Sequence, residues 1–136
     1  MSITPLKKVF ADTTGKTNHY DEYKVDLSDS PIVMNLFPGT TGQSAVSDVI
    51  IDSNKKGSNI QGSITNFTIG TGNSLVNKFL EVYTIITDVA TDSNLTSLDF
   101  SLTGGIAPYR YKMERTVQEQ GDSAAYKITI FFTDFS

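Results

Sequence analysis

Cysteine is absent from the chain, which excludes disulfides, thiolate metal sites and cysteine nucleophiles by inventory. Tryptophan is absent too, and histidine occurs once, as His19. A two-histidine metal site is therefore impossible, and any serine triad would have to be built on that one imidazole. Charge is scarce: 19% of residues carry one, against roughly 25% in ordinary globular domains. The net charge of −4 speaks against nucleic acid as a partner, because phosphate binding rests on clustered Lys and Arg. No apolar run approaches the roughly 20 residues of a membrane span, and the polar N-terminus lacks the apolar stretch of a secretory signal. The expectation is a soluble chain made in the cytoplasm, without a membrane span. Its final location stays open, a virion or an exported assembly included.

A length of 136 residues fits one domain, and at this size folding removes roughly two-thirds of the unfolded chain's surface from water. Eight phenylalanines and six tyrosines supply the bulky side chains for a core. Abundant Ser, Thr, Asn and Gly favour short strands and turns over helices.

Period-2 alternation is clearest in the last third of the sequence. Leu98, Phe100 and Leu102 alternate with Asp99, Ser101 and Thr103. After the turn Gly104-Gly105, Tyr109, Tyr111, Met113 and Val117 alternate with Arg110, Lys112, Glu114 and Thr116, broken on the apolar side only by Arg115. Beyond Gln120-Gly121-Asp122, Tyr126, Ile128, Ile130 and Phe132 alternate with Lys127, Thr129 and Thr133. The spacing predicts three strands in an antiparallel meander. Residues 79–89 are apolar on both faces and rich in β-branched and aromatic side chains, which predicts a central strand covered on each side. Strands are also expected at Tyr23 to Leu27, at 32–37, at 45–51 and at 60–69. The polar turn 53–58 would join the last two as a hairpin, and a bulge is expected near Thr65-Asn66. One short helical turn fits 73–78, capped by Asn73 or Ser74. About eight strands and little or no helix predict an all-β, antiparallel β-sandwich or jelly-roll-like fold over 1–136, with 1–18 as a possible N-terminal arm.

Few constellations suggest chemistry. His19, in a polar stretch, reads as a surface or loop histidine. Gly70-Thr71-Gly72-Asn73 has Leu75 where a dinucleotide loop needs a further glycine, so it reads as a turn. Asp52, Asn54 and Gly57 mimic an EF-hand opening, but Lys56 repels a cation there. Asp88, Asp92, Asn94 and Asp99 gather around one predicted loop and form the better calcium candidate, although acidic residues at strand ends are usually just solvated. Glu81 and Glu114 are the glutamates inside predicted strands, and Glu81 interrupts an apolar face, but nothing in their spacing singles them out as a glycosidase pair and edge or rim positions account for them. Asn66 and Asn94 each begin a glycosylation sequon. No catalytic, cofactor or metal residue is assigned from this inventory.

Residues 104–111, Gly-Gly-Ile-Ala-Pro-Tyr-Arg-Tyr, are similar to the Gly-Gly-x-x-Pro-Tyr-x-Tyr turn and strand of Ig-like repeats in bacterial surface adhesins. The resemblance covers eight residues of 136; it implies a sandwich module and carries over no site.

The function expected from these readings is non-enzymatic: a structural or assembly protein, such as a capsid, tail or spike of a virion or a secretion-machine component. Its partners would be copies of itself or other subunits. Self-association is expected through sheet edges and through the N-terminal segment, where the short strand-like piece 6–10 is set off by the polar loop 11–18. The closing strand 124–132, with one lysine and no proline, looks like an edge that something must cover. The alternative is an extracellular carbohydrate-binding or adhesion module, in which Tyr83, Tyr109, Tyr111 or Tyr126 faces a glycan.

Overall fold

The computed structural model describes residues 16–38, 43–88, 95–117 and 123–134. Nine strands and one helical turn follow in order: β1 (Lys16–Val25), β2 (Pro31–Pro38), β3 (Gln43–Ile51), β4 (Asn54–Gln61), β5 (Ile64–Thr71), α1 (Gly72–Leu75), β6 (Phe79–Asp88), β7 (Leu95–Thr103), β8 (Tyr109–Thr116) and β9 (Ser123–Asp134). They form a five-stranded sheet, β1-β9-β6-β3-β4, and a four-stranded sheet, β5-β2-β7-β8. The fold is a β-sandwich, as the alternation predicts. Every pairing is antiparallel except that of β1 with β9, which is parallel.

The core lies between the sheets and follows the expected phase. On β7, Leu98, Phe100 and Leu102 are buried, and on β9 Ala124, Tyr126, Ile128, Ile130 and Phe132 are buried. Register then joins like to like: Leu80, Val82, Thr84 and Ile86 of β6 stand opposite Ile130, Ile128, Tyr126 and Ala124 of β9. Several polar groups inside this layer are paired with one another. Ser47 and Thr84 share a hydroxyl contact of 2.8 Å. The Thr96 hydroxyl donates to the Arg115 carbonyl at 2.7 Å and accepts from the Tyr126 phenol, also at 2.7 Å. Arg115, the one break on β8's apolar side, is buried and donates through Nη1 to Thr17.

The expected meander is only partly formed. β7 and β8 make a hairpin, but β9 leaves their sheet and inserts between β1 and β6. Alternation marks which face of a strand is buried and is silent on which sheet receives it. The closing strand is therefore not an edge: β1 of the same chain pairs with it over its length, from Lys16 opposite Ala125 to Val25 opposite Asp134. Residues 16–18, expected in a loop or arm, belong to that strand. The piece 6–10 lies outside the described residues.

The second departure is at 53–58. Asp52 and Ser53, at φ 46° and 73°, make a turn with positive φ at both central positions, the tight hairpin geometry that matches strand twist. The polar residues after it are not turn but the edge strand β4, whose lysines suit an exposed rim. Gly62, at φ 77°, then breaks 60–69, so that its first part ends β4 and the rest becomes β5 in the other sheet. The bulge near Thr65-Asn66 is present: Met34 faces Phe67 and Leu36 faces Ile64, leaving an extra residue on β5, with Asn66 at φ 51°. The helical turn begins at Gly72, earlier than expected, and its cap is Thr71 rather than Asn73 or Ser74; Thr71 and Ser74 bond each other reciprocally as a capping box.

Candidate functional site

Two regions stand apart from ordinary sandwich packing. The first is the open side where the edge strands β1 and β8, from different sheets, meet. His19 points inward from β1 and is not a surface histidine: its side chain is 14% exposed and lies flat on the Tyr111 ring, 3.4 Å between centroids and 7° between planes. The Tyr109 phenol donates its proton to Asp21 Oδ2 at 2.9 Å. It therefore accepts from His19 Nε2 at 2.7 Å, which fixes the Nε2–H tautomer. Asp21 turns its other oxygen back to accept from the Glu22 N–H at 2.8 Å. The aromatic packing continues inward, with Tyr23 edge-on to both Tyr109 and Phe132, and Phe100 edge-on to Tyr109.

Burial sets the protonation behaviour here. It lowers the His19 pKa, against the opposing pull of the Asp21 carboxylate, and raises that of Tyr109, which would also lose its bond to Asp21 on ionising. A shallow cleft of about 280 Å³ adjoins the cluster, lined by Glu22, Tyr23, Lys24, Ile106, Pro108 and Tyr109. Its far wall is the β7–β8 turn, tied to β1 by the Ile106 N–H donating to the Lys24 carbonyl and the Gly105 N–H donating to the Tyr23 phenol, each at 3.0 Å. The turn and strand resembling adhesin repeats thus form one wall of a cleft.

This arrangement gives a pH signature. A histidine whose folded-state pKa lies below its unfolded value resists protonation while the unfolded chain accepts it, so stability falls as pH drops below roughly 6.5. Above that value His19 is neutral in both states and contributes no slope. Urea midpoints taken between about pH 8 and pH 5 are expected to decline at the acid end in the wild type and much less in His19→Gln. Asp48, held below the usual carboxylate range chiefly by the Asn59 N–H, loses its contribution only at lower pH. Superimposable profiles for the two proteins would refute the assignment to His19.

The second region is the outer face of the five-stranded sheet. β6 is apolar on both faces as expected, but among the described residues only its inner face is covered, by the four-stranded sheet. Outward, Phe79 is 42% and Ile85 47% exposed, and Tyr20 of β1 is 57% exposed. Half-buried Tyr83 and Phe131 lie on the same face, as do Val46 and Ile50 on the neighbouring β3, Phe79 and Phe131 being 4.7 Å apart. Lys127 sits 5.3 Å above the Tyr83 ring and 3.6 Å from Glu81. The outer face of the other sheet exposes fewer large apolar side chains, Phe37 at 41% among the described residues, and also carries two ion pairs: Arg110 grips Asp99 through two bonds of 3.0 and 2.5 Å, and Lys112 pairs with Glu114 at 3.8 Å.

These placements decide several candidates. Glu81 and Glu114 point outward from opposite sheets, so at least the roughly 10 Å between packed sheets separates them, and each has a lysine partner; they do not form a carboxylate pair. Of the calcium candidates, Asp99 is engaged by Arg110, while Asp92 and Asn94 lie outside the described residues. Among the described residues no group of three His, Asp or Glu side chains converges as metal ligands do. Asp52 serves its turn, accepting from the Phe79 N–H at 2.9 Å. Tyr126 is buried, which pushes its phenol up to about 12, so it faces no glycan. Among the described residues no helix is long and apolar enough to cross a membrane.

Comparison with protein-family models, with curated proteins and with solved structures finds no match to this chain.

Proposed function

We propose that this chain is a non-enzymatic structural protein that docks into a larger assembly through the outer face of its five-stranded sheet. The observation that carries this reading is a difference in exposed apolar surface between the two outer faces: each bears two ion pairs, but among the described residues Tyr20, Phe79 and Ile85 stand exposed on the five-stranded sheet against Phe37 alone on the other. A cluster of large apolar side chains on one face, rimmed by polar ones, is the mark of a docking surface.

The sheet edges support the same choice by elimination. β4 carries Lys55 and Lys56 and a positive φ at Asn59, β5 carries the Asn66 bulge, β8 carries Arg110 and Lys112, and on β1 the Asp21 side chain occupies the Glu22 N–H. These devices blunt strand addition. Docking therefore uses the face, not the edges expected from sequence.

The test is sedimentation of extracts from the source cells. The wild type is expected to travel with a large particle, Ile85→Lys as a free subunit, and Phe37→Lys, an exposed position on the other sheet, like the wild type. A wild type found only as free subunit would sink the reading. The cleft beside Tyr23 and Tyr109, with Glu22 and Lys24 at its rim, favours the adhesion module as a second reading, which sharp glycan-array binding lost in Tyr109→Ala would support.

A further inference from the structure

Resting on that reading of the outer face, we infer that its occupant is a second copy of this chain, packed face to face about a two-fold axis. A two-fold interface must be self-complementary, the same patch supplying both projection and recess. This patch has both. Ile85 projects from β6 between two hollows that flank Val46, and its own side chain forms part of the wall of each. One is about 140 Å³, between Ser44, Val46, Gln61 and Thr87. The other is about 190 Å³, between Val46, Asp48, Asn59 and Tyr83. A cavity of about 150 Å³ holds a benzene-sized group, so either hollow receives an isoleucine side chain from a facing copy.

Charge favours the same partner. The chain carries −4 overall, so two copies repel unless they meet where the charge cancels. On this face Glu81 is paired with Lys127 at 3.6 Å and Asp48 with Lys55 at 3.5 Å. Each acid has its base, and a copy turned by a two-fold axis meets no excess of either sign.

The size is also adequate. Five strands at about 4.8 Å spacing and about nine residues at about 3.3 Å give a plan area near 700 Å², close to the roughly 800 Å² each partner contributes to a standard interface.

Sedimentation velocity on the purified full chain, from about 1 μM to about 1 mM, tests this. The wild type is expected to pass from monomer to dimer mass in that range. Ile85→Lys is expected to stay monomeric with an unchanged thermal midpoint, and Ile85→Thr, which keeps the β-branched shape, to need about tenfold more protein for the same dimer fraction. Phe37→Lys is expected to dimerise like the wild type. A wild type monomeric throughout, or Ile85 variants that dimerise normally, would overturn the second-copy assignment. A monomeric purified protein that still travels with a particle in extracts would leave the docking face standing with a different occupant, whereas failure of both experiments removes the docking face itself.

Discussion

Phe100→Ala is expected to lower stability by about 3 to 5 kcal/mol, the largest loss at any single core position of β7. The ring is fully buried between the sheets and meets Tyr109 edge-on at 6.1 Å, so its removal leaves a void bounded by both layers. The cost has two parts, the lost transfer of the ring from water and the cavity that the surrounding strands cannot close. Relaxation is hindered because Phe100 lies in a strand paired on both sides, with Leu36 of β2 and Tyr111 of β8. Ile130→Ala, on the facing sheet, is expected to cost about 2 to 5 kcal/mol for the same reason. Ser101→Ala and Thr129→Ala, one residue away on the outward faces, are expected to change stability by under about 1 kcal/mol. Denaturant midpoints at constant m-value measure all four. Equal losses in the two sets would mean that the buried and exposed faces had been exchanged.

Gly104→Ala is expected to cost about 3 kcal/mol or more, and Gly62→Ala only about 1 kcal/mol, although both glycines have positive φ. At Gly104 φ is 101°, and an added Cβ would lie 2.0 Å from the Pro31 carbonyl oxygen. That oxygen belongs to the backbone at the start of β2, so relief requires moving a strand in the middle of its sheet. At Gly62 φ is 77° and an added Cβ meets nothing within 4 Å, so only the intrinsic left-handed penalty applies. The contrast separates conformational strain from steric collision in one pair of proteins. Near-equal losses would show that the β7–β8 turn shifts away from β2 easily, contrary to the close approach described here.

The buried faces of β7 and β9 were legible residue by residue. Leu98, Phe100, Leu102, Ile128 and Ile130 alternate with polar neighbours, and the bulge at Asn66 announced itself as a change of parity between Ile64 and Phe67. β4 was not legible, because a strand whose side chains mostly meet water, Asn54 to Gln61, has the composition of a turn. The His19 cluster was hidden for a different reason. Its members lie about 90 residues apart, and nothing near His19 in the chain hints that Tyr109 and Tyr111 will cover it. The one local clue was that Asp21 and Tyr23 share its parity, which puts all three on the inward side of any strand through them.

By itself the sequence determined an all-β sandwich, the faces that the alternating strands β7 and β9 bury and the inventory of chemistry it lacks, because those depend on side-chain period and composition, which are local. Only the tertiary structure decided that β9 joins β1 and β6 rather than β8, that His19 is held between β1 and β8, and that the four-stranded sheet covers the inner side of β6 while Phe79 and Ile85 on its outer side stand exposed. Sheet membership depends on pairings between residues distant in the chain, and a strand with two apolar faces carries no mark of which one its own fold will cover.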